Sequence, residues 1–367
     1  MMCQPDEPER KDTAAFAEVP VRFRSAIGTD LLAGTLVMVS KRPDSPLAVL
    51  VSGTGPIDRD VTFVGHVLFR VLAHSLAGAG IASLRFDKRG VGESEGNFPS
   101  AGPDDFVADV LGAMEHAVSR MGFAKERVGL IGHSEGGMVA LTAAAKRPGT
   151  PFCVLLASPL LSGTENLARS FALLARGSLE RDSTFNQYVS QVETLVETVR
   201  TGKTSVPQTK LLALAAGLAP RIFNERTEVI LGTKELSGAE FLSLLSSPCL
   251  ETCLSWDPGL VVPFVRCPVL AVYGTKDVQV PALENLAAAR VLVDRVGRSD
   301  WVIREIGEMN HAFQHCTTGM PDEYARIDHV MADEVVRDVA GWIRSKTEGT
   351  VRLHTPVTSM LLSLSAL

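Results

Sequence analysis

"VGLIGHSEGGMVAL", residues 128–141, is the stretch of sequence that decides the fold. It opens with an apolar run (128–131) of the length of a buried strand, and residues 138–145 are rich in helix-forming side chains. Between them lies Gly-His-Ser-Glu-Gly-Gly (132–137), whose small residues permit a turn too tight for larger side chains. The pattern G-x-S-x-G therefore predicts that Ser134 lies on a strained corner between strand and helix, with its hydroxyl projecting from the sheet.

The remainder of the chain alternates between strand-like and helix-like segments. Apolar runs typical of strands occupy residues 19–24, 31–39, 46–51, 80–87, 151–158, 267–274 and 301–307. Helices are predicted over residues 63–78, 104–121 and 333–346. Because most of the strands are continuous apolar runs, the pattern indicates an α/β fold, a mostly parallel sheet covered by helices on both faces.

This alternation lapses in the middle of the chain. Residues 165–180, 185–199, 209–219 and 238–247 all have the composition and periodicity of helices. A helical block between two core strands predicts a cap insertion over the carboxyl edge of the sheet, where substrates bind in open α/β folds. Its apolar stretches could line an acyl pocket or simply pack on the core, and the sequence leaves both interpretations open.

These segments predict an order of domains along the chain. A mobile N-terminal tail (1–18) precedes the first part of the core (19–159), the cap (160–262), the second part of the core (263–346) and a C-terminal tail (347–367).

Composition excludes several classes of function. The chain has 367 residues and a formal net charge of −6, and no basic tract points to nucleic acid or a membrane surface. Six scattered cysteines show neither a disulfide framework nor the spacing of a metal site, so we expect reduced structural thiols. The polar N-terminus and the short apolar runs predict a cytoplasmic protein without stable membrane insertion.

A nucleophilic serine needs a base, and the base needs an acid that orients it. On a sheet of this kind the partners follow the serine in the order acid, then histidine, on loops after later strands. Asp277 comes just after the strand that ends at Gly274, and His311 comes just after the last strand. We therefore predict a catalytic triad of Ser134, Asp277 and His311.

Other residues compete for these roles. His315 lies one turn beyond His311 and is the main alternative to it. His133 adjoins the serine, but on a tight corner we expect it to point away from Ser134. Asp257 lies in a Trp-Asp-Pro turn that an Asx turn explains. The remaining histidines considered, His66, His74 and His116, fall in stretches predicted to be helical.

Acyl transfer also needs donors for the oxyanion of the tetrahedral intermediate. The backbone N–H of Glu135, the residue after the serine, is one candidate. The other is the backbone N–H of Thr54, in the loop after strand 46–51, where neighbouring glycines permit close approach of the backbone.

Two charged stretches lie near these loops. Asp87, Arg89 and Glu93 are expected to fasten the loop after strand 80–87 rather than to act on a substrate. The stretch 58–60, Asp-Arg-Asp, is expected to support the loop that carries Thr54.

Taken together, five segments resemble the α/β-hydrolase superfamily, and more narrowly its bacterial esterase branch related to the serine aminopeptidase-like (S33) hydrolases. They are "VSGTGPIDRD" (51–60), "LAGAGIASLRFDKRGVGESEG" (76–96), "GLIGHSEGGMVA" (129–140), "VLAVYGTKDVQVP" (269–281) and "MNHAFQ" (309–314). The resemblance covers the core and leaves out the cap and both tails.

The resemblance implies nucleophile Ser134, acid Asp277, base His311 and an oxyanion hole at Thr54 and Glu135. It also implies hydrolysis of small carboxylic esters or related acyl compounds, without metal or organic cofactor. The same acyl-enzyme could serve a thioesterase, a peptidase or a biosynthetic acyltransferase or cyclase. A protein of this fold could also bind ligands without catalysis.

Overall fold

The computed structural model describes residues 16–39, 44–176, 183–202 and 207–348. Within them the strands are β1 (Phe16–Arg24), β2 (Leu31–Val39), β3 (Leu47–Val51), β4 (Thr62–Phe63), β5 (His66–Val67), β6 (Ala82–Phe86), β7 (Val128–His133), β8 (Cys153–Leu156), β9 (Val269–Gly274) and β10 (Trp301–Ile306). The helices are α1 (Leu68–Gly78), α2 (Pro103–Ser119), α3 (Glu135–Lys146), α4 (Gly163–Arg176), α5 (Ser183–Thr201), α6 (Gln208–Ile222), α7 (Glu228–Leu231), α8 (Gly238–Leu245), α9 (Pro248–Leu254), α10 (Pro258–Val261), α11 (Ala282–Val296) and α12 (Asp333–Thr347).

The large sheet has the strand order β1-β2-β6-β3-β7-β8-β9-β10. β2 is antiparallel to both of its neighbours, and every pair from β6 to β10 is parallel. The predicted mostly parallel sheet is therefore confirmed. Because the carboxyl ends of parallel strands share one edge, the loops after β3, β7, β9 and β10 all begin at that edge.

Helices cover both faces of this sheet. Leu47 and Val49 of β3 belong to the apolar cluster that contains α2, α3 and α11, whereas Ala48 and Leu50 face the cluster of α1 and α12. This alternation along a strand that is buried throughout explains why the sequence shows an unbroken apolar run there.

One predicted helix begins later than expected. Residues 62–67 form the β4–β5 hairpin, and α1 starts only at Leu68. Val61, Val64 and Gly65 have positive φ angles of 51°, 44° and 83°, which a right-handed helix cannot contain. The prediction of a helix from residue 63 was wrong for this reason.

The sequence analysis also missed one core helix, α11, between β9 and β10. The signals were present, since Pro281 precedes the helix and Gly297 ends it in the left-handed conformation, with φ 64°.

The helices α4 to α10 lie between β8 and β9, where the insertion was predicted. Their apolar side chains form a third cluster, which also includes Val278 and Met320 from the loops of the second core part. The helical segment α4–α10 therefore has an interior of its own and is joined to the core beside Asp277.

The predicted tails fall largely outside the described residues, which begin at 16 and end at 348. At the N-terminal side β1 starts at Phe16, three residues earlier than expected, and Phe16–Glu18 pair with the end of β2. None of the helices in the described ranges has the length and apolarity that a membrane crossing requires.

Candidate active site

Ser134 lies on the corner between β7 and α3. Its backbone has φ 56° and ψ −128°, a conformation that costs a non-glycine residue about 1 to 3 kcal/mol. A Cβ atom at Gly132 would come within 2.2 Å of the carbonyl oxygen of Gly136, so a side chain cannot be accommodated there. The motif is thus explained by the tightness of the turn, and the prediction of a strained corner at Ser134 is confirmed.

Asp277 and His311 meet at the carboxyl edge of β9 and β10. The Nδ1 atom of His311 lies 2.8 Å from Oδ2 of Asp277, and both side chains are buried. The other carboxylate oxygen of Asp277 accepts the backbone N–H groups of Gln279 and Val280, at 2.8 and 2.9 Å. These three contacts together fix the Asp277 carboxylate in the orientation that holds the imidazole of His311.

His133 contributes a contact that the sequence analysis did not predict. Its Nε2–H donates to the backbone carbonyl of His311 at 2.9 Å, and the two rings are 4.7 Å apart. Burial, together with the neighbouring charge of His311 when protonated, lowers the pKa of His133 to about 3. His133 therefore stays neutral and holds the His311 loop against the end of β7.

The hydroxyl of Ser134 makes no hydrogen bond to His311 in the described part of the chain. Ser134 is partly exposed, and the ring of His311 packs against the ring of His133, the residue before Ser134.

The loop after β3 lies in close contact with Ser134. A Cβ atom at Gly53 would lie 3.2 Å from Cβ of Ser134, so glycine allows this approach. Thr54, the next residue, is exposed, and Glu135 begins α3, where the first N–H groups have no partner within the helix. The two backbone segments expected to bind an oxyanion thus flank the serine.

The competing histidines have other partners. Nε2 of His315 lies 2.7 Å from Oε1 of Glu334 at the surface. The expectation that His66 lies in a helix was wrong, because it belongs to β5, and its Nε2 lies 3.0 Å from the carbonyl oxygen of Tyr324. His74 and His116 do lie in helices, α1 and α2.

The interpretation of Asp257 as a turn residue is confirmed. Its side chain accepts the backbone N–H of Gly259 at 2.8 Å and caps α10.

The charged loops have the fastening role that was predicted. Arg59 binds Oδ2 of Asp87 at 2.5 Å and Oε2 of Glu93 at 2.6 Å. Arg89 binds Oδ1 of Asp109 at 2.6 Å, which ties the loop after β6 to α2. These ion pairs hold the loop ends together.

Asp58 and Asp60 anchor the chain that follows Thr54. Oδ1 of Asp58 accepts the backbone N–H groups of Asp60 and Thr62, and Asp60 binds Nε of Arg85 at 2.7 Å. These contacts hold residues 58–62 in place, and the support expected for the loop that carries Thr54 stays a prediction.

The described cysteines Cys153, Cys253, Cys267 and Cys316 are free thiols. Across the described ranges, no three His, Cys, Asp or Glu side chains are grouped in a way that could hold a metal ion.

Comparison with known sequences finds similarity to hydrolases. The family model of the serine aminopeptidases (S33) matches residues 66–181. Esterase EstD of Thermotoga maritima is 23% identical over 339 residues, which are 92% of this chain and 69% of the esterase. Human monoglyceride lipase is 33% identical over 108 residues, 29% of this chain and 35% of the lipase.

Solved structures share this fold. The α/β hydrolase GrgF from Penicillium sp. sh18 has a TM-score of 0.56 at 16% identity, covering 90% of this chain and 99% of GrgF. The chain has the α/β-hydrolase fold. The Pyrococcus furiosus esterase Pf2001 agrees, with a TM-score of 0.54 at 13% identity and coverage of 94% of this chain and 97% of the esterase. Together with the family model and the two sequence relatives, this shared fold confirms the resemblance to the α/β-hydrolase superfamily.

The α/β-hydrolase fold explains why the three candidate residues emerge at the same edge of the sheet. β7, β9 and β10 belong to the parallel part of the sheet, so the residues that follow them emerge at one edge. Ser134, Asp277 and His311 are far apart in sequence but lie after strands of the same sheet.

Proposed function

We propose that the chain is a serine-dependent carboxylic ester hydrolase with Ser134, Asp277 and His311 as its catalytic triad. The observation that carries the proposal is the buried 2.8 Å contact between Asp277 and His311 at the sheet edge that also carries the strained Ser134 corner. The names of the esterase and lipase relatives support esters as the substrate class.

The proposed reaction begins with attack of Ser134 Oγ on the ester carbonyl carbon. Nε2 of His311 takes the hydroxyl proton, while Nδ1–H of the imidazolium donates to Asp277. The backbone N–H groups of Thr54 and Glu135 would hold the oxyanion. When the tetrahedral intermediate collapses, His311 gives its proton to the departing alkoxide and the acyl group stays on Ser134.

In the second half, water attacks the acyl carbonyl and His311 accepts a proton from it. Collapse then returns Ser134 Oγ, protonated again by His311, and releases the carboxylic acid. The exposed side chain of Thr54 indicates that water reaches the edge of the oxyanion loop. This favours hydrolysis over transfer to an acyltransferase acceptor, which requires that water be excluded.

We also propose that the helical segment α4–α10 acts as the cap of the site. Two contacts support this role: its apolar cluster includes Val278, next to Asp277, and Cys253 of α9 lies 3.5 Å from Oγ1 of Thr54. α9 is therefore placed to meet the acyl or leaving group of a substrate.

The first prediction tests the nucleophile. Ser134→Ala should abolish labelling by a fluorophosphonate and lower turnover of p-nitrophenyl esters at least about a thousandfold, because the proposed acyl-enzyme forms on Ser134 Oγ. Ser243→Ala, an exposed serine on α8, is the control and should keep both. Parallel assays with acyl thioesters and amino-acid anilides would distinguish an esterase from a thioesterase or peptidase.

Retention of turnover by Ser134→Ala would remove this serine from the mechanism. Absence of labelling and of turnover in the native protein would support the alternative of a non-catalytic binding protein.

A further inference from the structure

A buried ion pair lies directly behind the proposed nucleophile. Oε2 of Glu135 lies 3.0 Å from Nζ of Lys88, and the side chains are only 1% and 8% exposed. Lys88 comes from the loop after β6, and its ammonium group also lies 4.7 Å from the ring centre of Phe106 and 5.7 Å from that of Phe98. Its partners are therefore one carboxylate and two aromatic faces.

The second carboxylate oxygen of Glu135 has a partner from the helical segment. The Cys253 thiol donates to Oε1 of Glu135 at 3.8 Å, and its sulfur lies 3.5 Å from Oγ1 of Thr54. Burial, and then the charge of Glu135, raises the pKa of this thiol, so it keeps its proton as a donor. Lys88 and Cys253 thus occupy both oxygens of the carboxylate and shield it from water.

The position of this carboxylate creates an electrostatic problem. Under the proposed function, on which this inference rests, the backbone N–H of Glu135 binds the oxyanion, so a negative side chain lies on the same residue as a donor. The Glu135 side chain is only 1% exposed, so water does little to screen its repulsion of a second negative charge nearby. Unless the carboxylate is neutralised, it would oppose the charge that develops in the transition state.

We propose that Lys88 is a positioning residue of the oxyanion hole, which balances the charge of Glu135 and holds its side chain away from the developing oxyanion. Lys88 does not touch the substrate and acts only through Glu135. The pair explains how an acidic residue can follow the nucleophile without harming catalysis.

The alternative is that the pair only fastens the loop after β6 to α3. Breaking a buried pair from either side leaves one unpaired charge, so a purely structural role predicts similar damage from both single substitutions. Charge balance predicts unequal losses of kcat, because only removal of Lys88 leaves a negative charge beside the oxyanion.

The test compares Lys88→Met, Glu135→Gln and the double variant, each with its active sites counted by fluorophosphonate titration. Lys88→Met should lower kcat about a hundredfold with little change in KM, the size of effect seen when an oxyanion donor is lost. Glu135→Gln, which removes the carboxylate but keeps the backbone N–H, should lower kcat clearly less than Lys88→Met does, and the double variant should recover to within about tenfold of the native kcat. Lys88→Gln, neutral but able to hydrogen-bond, provides a second route if Lys88→Met does not fold.

Equal losses of kcat in both single variants, or an unchanged kcat in Lys88→Met, would overturn the proposal. So would a double variant no better than Lys88→Met. Ser134→Ala in the same assay distinguishes failure of the proposed function from failure of the role of Lys88. If Ser134→Ala keeps its turnover, the proposed function itself is wrong. If Ser134→Ala is inactive and the double variant shows no recovery, only the role of Lys88 is refuted.

Discussion

At the scale of single residues, the site depends on side chains whose neighbours fix their charge as well as their position. One carboxylate oxygen of Asp277 accepts two backbone N–H groups, and the other lies at hydrogen-bond distance from Nδ1 of His311. His133, kept neutral by burial, donates to the carbonyl of His311 without placing a positive charge beside that imidazole. The imidazole of His311 is therefore held from two sides, through its Nδ1 and through its own backbone.

A second prediction follows for the two competing histidines. His311→Ala should lower kcat/KM as much as Ser134→Ala does, because base and nucleophile act as one unit. His315→Ala, whose ring is paired with Glu334 at the surface, should retain most of the activity. Steady-state kinetics on one p-nitrophenyl ester would measure both. A greater loss in His315→Ala than in His311→Ala would show that the base has been assigned wrongly.

At the scale of elements, the helical segment divides into an apolar interior and the part that reaches the site. Phe171, Leu173 and Leu174 of α4 are buried in its cluster, and Phe171 packs edge-on against Phe241 of α8. This favours the packing interpretation for these side chains over that of an acyl pocket. Contact with the proposed oxyanion loop comes instead from Cys253 of α9.

The third prediction separates these interpretations by stability. Leu173→Ala should lower the free energy of unfolding by about 2 to 5 kcal/mol, because the side chain is fully buried and leaves a cavity. The preferred ester chain length should not change. Leu212→Ala on α6, where the side chain is 42% exposed, is the matched control and should have a small effect on stability. Urea unfolding and a series of p-nitrophenyl esters would report the two properties.

If Leu173→Ala instead shifts the optimum toward longer esters at native stability, then α4 lines the acyl pocket.

At the scale of the whole molecule, buried charged side chains hold together the loops beside the sheet. Asp87, just after β6, accepts the backbone N–H, Nε–H and Nη2–H of Arg59 and the backbone N–H of Glu93. Burial alone would raise the pKa of Asp87, but the hydrogen bonds from Arg59 and the backbone N–H groups outweigh it, so the pKa is lowered. The folded protein therefore favours the ionised carboxylate.

The fourth prediction concerns acid stability. Because the folded pKa of Asp87 lies below the unfolded value of about 3.9, its contribution is complete above that pH and is lost as the pH falls toward the folded pKa. Asp87→Asn should cost about 3 kcal/mol of unfolding free energy at pH 7. Its stability should also decline less steeply than that of the native protein below about pH 4.

Urea unfolding between pH 7 and pH 3 would measure this difference. Asp104→Asn, a mostly exposed aspartate paired with Lys146, is the control and should follow the native curve. Identical pH dependence in the native protein and Asp87→Asn would refute the role given to this carboxylate.

The sequence by itself determined the elements that carry strong periodicity and tight turns. The corner at Ser134, the strand ends before Asp277 and His311, and the helical insertion could all be derived from local pattern, since apolar runs and glycine turns act over a few residues. The same local view failed at residues 62–67, where the left-handed backbone of Val61 and Val64 has no clear sequence signal.

Only the tertiary structure decided which distant side chains meet. The contacts of His133 with His311, of Lys88 with Glu135 and of Cys253 with Thr54 each join segments from different strands or from the helical segment. No periodicity encodes such pairs, because they depend on the order of the parallel strands in the sheet and on how α9 packs beside the loop that carries Thr54. The triad candidates could be named from the chain, but the groups that set their charge and position could be found only in the folded molecule.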